Sequence, residues 1–261
     1  MSGLYLVFLS FLIIFIGVLI IVGIFFLIKG IHNKLINLII AGLGFISLCL
    51  GFVGNFVFNL SGGFQEIFVF ICFTFTTVFT YLTFYKNQKK IGLFAIFIVI
   101  CLGIIQLILI YASLLGVPNL YYLRVSLDVP YTMIAFDWMA WASYSSYRNL
   151  RNEDIQPWIK IRYKLIAIFS FIISFNNIPE FFQPSKINWG DPSNPISLMV
   201  FGATAILAVT FAFGFGLAWL MPSWLKNRLN KGYKNIIEKE LTEQELIHLI
   251  ENQLKERRNN K

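Results

Sequence analysis

The chain has 261 residues, of which 57% are hydrophobic and only 13% charged, where an ordinary soluble domain carries roughly 25% charged residues. That composition excludes a soluble globular protein, and seven apolar runs occupy so much of the length that no separate soluble catalytic or DNA-reading domain fits beside them. The net charge of +8 does not call for nucleic acid, because positive-inside topology and attraction to anionic lipid explain a basic tail.

The apolar runs lie near 4–28, 35–58, 67–85, 91–115, 119–144, 163–183 and 197–221. Each reaches the roughly 20 residues that cross a bilayer at ~1.5 Å rise per residue. The expected fold is therefore all-α and polytopic: a seven-helix transmembrane bundle over 1–221, followed by a short, basic, amphipathic cytoplasmic tail over 222–261. The first run is not read as a cleaved signal. No basic residue precedes it, it exceeds the usual 7–15 apolar residues, and no A-x-A-like site follows, so it is expected to stay as a signal-anchor.

In the second run Gly44, Gly51 and Gly54 recur near helical spacing, and in the seventh Thr204, Ala208, Ala212 and Gly216 step by four residues. Such stripes let helices approach closely in lipid, and packing within the bundle is favoured over a homodimer seam. After the second run, Asn59-Leu60-Ser61 forms an N-x-S triplet in a connection expected to face outward. Cys49, Cys72 and Cys101 all fall inside runs without a C-x-x-C spacing, and read as small apolar fillers. The two histidines, His32 and His248, lie outside the runs, so no metal site is expected.

Nineteen of the 21 basic residues fall in alternate connections and the tail. Lys29 and Lys34 follow run 1, Lys86, Lys89 and Lys90 follow run 3, Arg148 to Lys164 follow run 5, and nine more extend from Lys226 to Lys261. The exceptions are Lys186 and Arg124, the latter inside run 5. This asymmetry places the N-terminus outside and the C-terminus inside a cell membrane. Trp141, Trp158, Trp219 and Trp224 near the inner interface and Trp189 in an outer connection agree with that frame.

Run 5 carries the polar content. Charges within a bilayer cost at least about 2.5–3.5 kcal/mol each on insertion scales and mark function by default. Arg124 and Asp128 are an i, i+4 pair of opposite sign. Asp137 lies nine residues beyond Asp128, a rotation of about 900° at 100° per residue that turns it to the opposite face. Run 6 travels the other way, so Ser174, Asn176, Asn177 and Glu180 reach the depth of Arg124. Asn55, Glu66, Gln106 and Tyr111 lie at compatible heights. Together they form an expected outward-facing polar pocket for a small polar or anionic ligand, with Arg124, Asp128, Asn176, Asn177, Glu180, Asn55 and Gln106 as ligand-binding residues. The competing structural reading pairs Arg124 with Asp128 or Glu180 to fix helix packing. Asp137, set among Trp138, Trp141 and Tyr144, is a candidate proton or ion site, the alternative being a hydrogen bond to a neighbouring hydroxyl. Pro130 inside run 5 and Pro179 late in run 6 are expected to kink their helices.

The tail divides at Gly232. Pro222 to Asn230 suits a short basic helix on the inner leaflet. Thr242 and Glu245 form a capping box ahead of an apolar stripe from Leu246 to Leu254, a surface for a cytoplasmic protein partner. No G-x-S-x-G, H-E-x-x-H, G-x-G-x-x-G or P-loop pattern occurs, and run 7 has no lysine to hold retinal. No catalytic residue, cofactor or metal is therefore assigned. The expected function is that of a receptor or sensor, with a secondary transporter using an intramembrane carboxylate and a membrane-organising scaffold acting through its tail as alternatives.

Overall fold

The computed structural model describes residues 3–85, 89–115, 117, 120–231 and 233. Among them every regular element is helical: α1 (Gly3–His32), α2 (Ile36–Phe56), α3 (Gly62–Phe84), α4 (Lys89–Leu114), α5 (Tyr121–Leu150), α6 (Pro157–Ser174), α7 (Pro195–Trp219) and α8 (Ser223–Leu229), with a 3-10 helix at Ile178–Phe182. Six are long and apolar enough to cross a membrane, namely α1 to α4, α6 with its 3-10 extension, and α7, as in a multi-pass membrane protein. Helix α5, at 30 residues, is long enough but too polar to meet the same measure.

Local chemistry explains where the helices begin and end. Helix α3 starts five residues ahead of its apolar run because Ser61 caps it, its Oγ accepting from the Phe64 N–H at 3.3 Å. Asn194 does the same for α7, accepting from the Ser197 N–H at 2.9 Å with Pro195 in the first turn. The expectation of one helix over 163–183 is corrected: α6 starts earlier, with Pro157 in its first turn, and stops at Ser174. A helix continued through Pro179 would set the proline ring against the Phe175 carbonyl and lose a hydrogen bond. The chain instead tightens, with Ile178 N–H to Phe175 O at 3.1 Å and Gln183 N–H to Glu180 O at 3.1 Å. Pro130, by contrast, is carried inside a continuous α5.

The helices close a ring in the order α1, α2, α3, α5, α6, α7 and back to α1, while α4 lies outside it against α3 and α5. The small-residue stripes face neighbours within the chain. A Cβ on Gly51 would stand 2.8 Å from Phe68 Cβ of α3, and one on Gly216 would stand 3.3 Å from Val18 and Val22 of α1. At the α1–α2 crossing a Cβ on Gly42 would stand 2.7 Å from the Gly23 carbonyl oxygen, so there the two backbones touch. Cys49 and Cys72 are buried as free thiols in this packing.

Aromatic rings fill the ring's axis toward the end that holds most of the basic residues. Phe26 packs on Trp219 at 4.8 Å and Phe45 on Phe215 at 5.4 Å between centroids, and the Arg162 guanidinium lies 3.8 Å over Trp219. The short α8 docks against α6 through Lys226 over the Trp158 ring at 4.6 Å and the Asn230 side chain accepting from the Trp158 N–H. The expected capped helix from Thr242 lies outside the described residues.

Candidate ligand cavity

A cavity of about 340 Å³ occupies the ring in the half nearest the sparsely charged end, within the size range of small-molecule sites. Helix α5 builds one wall, because residues four apart share a helix face: Arg124, Asp128, Thr132 and Phe136 all line it. Glu66 and Gln65 enter from the first turns of α3, Asn55 from the end of α2, and Asn176, Asn177 and Glu180 from the break between α6 and the 3-10 helix. Opposite stand apolar side chains, among them Leu12 and Phe15 of α1 and Ala205 and Ala208 of α7. Trp189 closes over it from the α6–α7 connection, its ring 4.8 Å from that of Phe201.

The connection carrying Trp189 is itself folded. Ser197 Oγ donates to the Asn188 carbonyl at 2.7 Å, and Gln183 donates to the Ile187 carbonyl at 2.9 Å. Gly190 adopts φ of +76° beneath Phe201, a conformation that a Cβ would strain. Asp191 accepts from the Ser193 N–H at 2.8 Å and its hydroxyl at 2.7 Å, bonds that hold its carboxyl below the ordinary carboxylate range.

The floor is aromatic. Phe73 of α3, Phe136 of α5 and Phe211 of α7 line the cavity, with Phe136 5.2 Å from Phe73 and 5.6 Å from Phe211 between centroids. Below them lies the cluster of Phe26, Phe45, Phe215 and Trp219, so two layers of rings separate the cavity from the basic end.

The polar side chains are cross-linked. Arg124 Nη2 binds Glu180 Oε2 at 3.1 Å, and Tyr121, whose ring lies under the guanidinium, donates to the Glu180 carbonyl at 3.1 Å. Asn177 donates to Thr132 Oγ1 at 2.6 Å, and Asn55 donates to Gln65 Oε1 at 2.5 Å. The Asn176 Oδ1 is buried without a hydrogen-bond partner among the described residues. Three carboxyls, Glu66, Asp128 and Glu180, thus surround one guanidinium.

Of the residues expected at the pocket, Arg124, Asp128, Asn176, Asn177, Glu180 and Asn55 line the cavity together with Glu66. Gln106 does not line it. It is buried between α4 and α5, its Nε2 donating to the Arg124 carbonyl at 2.9 Å, so it supports the start of α5 from behind. Ser174 turns its hydroxyl back to the Phe171 carbonyl, and Tyr111 packs over Gly63, both away from the cavity. Asp137 lies off the cavity, as its rotation from Asp128 requires; it is half-buried, with Oδ1 enclosed and without a hydrogen-bond partner among the described residues. Sequence reasoning missed Thr132, Gln65 and Trp189. Thr132 could have been found one turn past Asp128, whereas nothing local marks a loop tryptophan as a lining residue. No protein-family model matches the chain, and no curated protein or solved structure is significantly similar to it.

Proposed function

We propose that the chain is a seven-helix receptor-like sensor of the cell membrane, with α5 as the seventh span and the cavity opening outward to take a small polar ligand. Thirty residues of helix extend about 45 Å at 1.5 Å per residue, ample for a bilayer. The polarity of α5 is tolerable there because the ring of neighbours, rather than lipid, receives its polar face. The charge asymmetry sets the N-terminus outside and the C-terminus in the cytoplasm, with the basic α8 and tail next to anionic lipid. Labelling with a membrane-impermeant thiol reagent tests this. Ser185→Cys, in the α6–α7 connection, reacts from outside intact cells, and Asn152→Cys reacts only after permeabilisation; the reverse result overturns the topology.

The observation that carries the receptor reading is the double aromatic floor, two layers of rings lying between the cavity and the basic end, with Asp137 off the cavity lining. A site that reaches one side and stops suits detection. The experiment is thermal unfolding of the purified protein in detergent across a panel of small amines, amino acids and carboxylates. A ligand at 100 times its Kd stabilises by about 2.7 kcal/mol. At least one compound raises the Tm of the wild type and not of Ala208→Phe, which fills the cavity. A panel without effect overturns the reading.

A transporter is the second reading, favoured by one observation. Beyond the floor, Ser143 and Ser170 are fully buried with hydroxyls lacking a hydrogen-bond partner among the described residues, and such groups are sites for water in a path that opens on rearrangement. Proton-driven solute uptake into proteoliposomes supports this reading; its absence, with ligand-induced stabilisation present, supports the sensor.

A further inference from the structure

We infer that the ligand taken by this cavity is an organic ammonium ion with an apolar body. The inference rests on the reading of the cavity as a ligand site and names the chemical class that fits it.

The charge balance comes first. Three carboxyls face one guanidinium, and Arg124 is already held by Glu180 at 3.1 Å with the Tyr121 ring beneath it. An anion would have to draw Arg124 away from Glu180 while approaching Glu66 and Asp128. Asp128 lines the cavity, is only 7% exposed, and makes no ion pair among the described residues. The carboxyls outnumber the guanidinium by two, an excess of negative charge wherever they are ionised. In surroundings of low dielectric an entering cation offsets that charge far more strongly than it would in water.

Hydrogen-bonding capacity points the same way. Asn176 Oδ1 is an enclosed acceptor without a donor, on a residue that lines the cavity. A primary ammonium supplies three N–H donors and no acceptor, enough for Asp128, Glu66 and this amide oxygen.

The rest of the lining suits an organic ion better than a bare metal ion. Among the described residues no group of three His, Cys, Asp or Glu is spaced to hold a metal. Phe15, Phe52, Phe73, Phe136 and Trp189 give the cavity an aromatic wall and floor, which attracts an ammonium through ring faces and accepts an apolar body. The charged and amide groups come from α2, α3, α5 and the α6 break, whereas α1 adds only Leu12 and Phe15 and α7 adds Ala205, Ala208 and Phe211 beside the single hydroxyl of Thr204, so the cavity has a polar side and an apolar side. An amine at one end of a hydrocarbon or aromatic group matches both sides at once.

The test uses the full chain in detergent and three probes of one shape: 2-phenylethylamine, 2-phenylethanol and 3-phenylpropionate, measured by calorimetry at neutral pH. The amine is expected to bind at least tenfold tighter than the alcohol, and the carboxylate weakest. Asp128→Asn, of the same size, is expected to weaken the amine at least tenfold and leave the alcohol unchanged, the alcohol also reporting that the variant is folded. Glu66→Gln, if Asp128→Asn does not fold, is expected to act in the same direction by a smaller factor. Equal affinity for amine and alcohol, or an amine affinity insensitive to both substitutions, overturns the inference. Preference for the carboxylate overturns it while leaving the cavity as a ligand site. Failure of all three to bind overturns it as well, and the broader panel against Ala208→Phe then decides whether the ligand-site reading falls with it.

Discussion

Helices α4 and α5 are consecutive in the chain and touch each other, yet they are built on opposite rules. Helix α4 is almost wholly apolar, and only 17% of its most apolar stretch is buried inside the protein. Helix α5 carries Arg124, Asp128, Thr132 and Asp137, yet it closes the ring between α3 and α6, with Asp128 and Thr132 buried. In water the apolar helix would be the inner one. In lipid the hydrocarbon is as apolar as any core, so hydrophobicity marks what faces outward, and polar side chains mark what must be enclosed and paired.

The most severe test of this contrast is Arg124→Gln, which leaves Glu180 beside two other carboxyls without its cation. Removing one partner of a fully buried pair costs about 3–5 kcal/mol; Arg124 and Glu180 are 19% and 17% exposed, so a smaller loss, still read as a Tm a few degrees lower, is expected. The double change Arg124→Gln with Glu180→Gln is expected to recover most of the loss. A single variant as stable as the wild type would show that the pair does not hold α5 in the ring. Less severe is Gly103→Val, which probes the place where α4 meets the ring. A Cβ there would stand 2.2 Å from the Phe70 ring and 2.8 Å from the Tyr131 hydroxyl, and overpacking of this kind costs about 1–3 kcal/mol.

Smaller still is Asn177→Ala, which deletes the 2.6 Å bond to Thr132 for about 0.5–1.5 kcal/mol and is read by the same thermal unfolding. On the outer face of α4, where Ile108 is 61% exposed, Ile108→Ala is expected to change stability by no more than about 0.5 kcal/mol. A loss there as large as at Asn177 would break the contrast between the two helices. The least effect belongs to the α6–α7 connection. Ser193 lowers the Asp191 pKa in the folded protein, so this contribution to stability is present above the ordinary carboxylate pKa and disappears as pH falls through the lowered value. Ser193→Ala is expected to return Asp191 toward the ordinary range, checked by NMR titration of its carboxyl carbon.

Much of the helical framework is local and therefore legible from residues alone. Apolar runs mark six helices to within a few residues at most ends, because hydropathy over about 20 residues is a property of one segment. The exceptions are the start of α3, lengthened by the Ser61 cap, the end of run 6, which Pro179 turns into a 3-10 helix, and the connection between runs 5 and 6, where α5 continues six residues past 144 to Leu150 and α6 begins six residues before 163 at Pro157. The rotation of about 900° between Asp128 and Asp137 is likewise local geometry, and the structure does put Asp137 away from the cavity.

Which side chains meet across helices is another matter. Within α5 the nearest opposite charge to Arg124 is Asp128, one turn on, but Glu180 makes the ion pair, because the 3-10 helix brings it onto the guanidinium from a neighbouring element. Gln106 lies at the right height and still serves the Arg124 backbone rather than the cavity, since α4 stands outside the ring. Trp189 becomes a lining residue only because its connection folds back over the bundle. Sequence alone determined that the chain is helical and rich in segments apolar enough to cross a membrane, that polar groups gather in the fifth long helix, and which of those stand at the same height along the bundle. Tertiary structure decided the lateral order of the helices. That order depends on close approaches such as Gly42 on the Gly23 carbonyl, where the shapes of two surfaces far apart in the chain must fit each other, and no single segment encodes that fit.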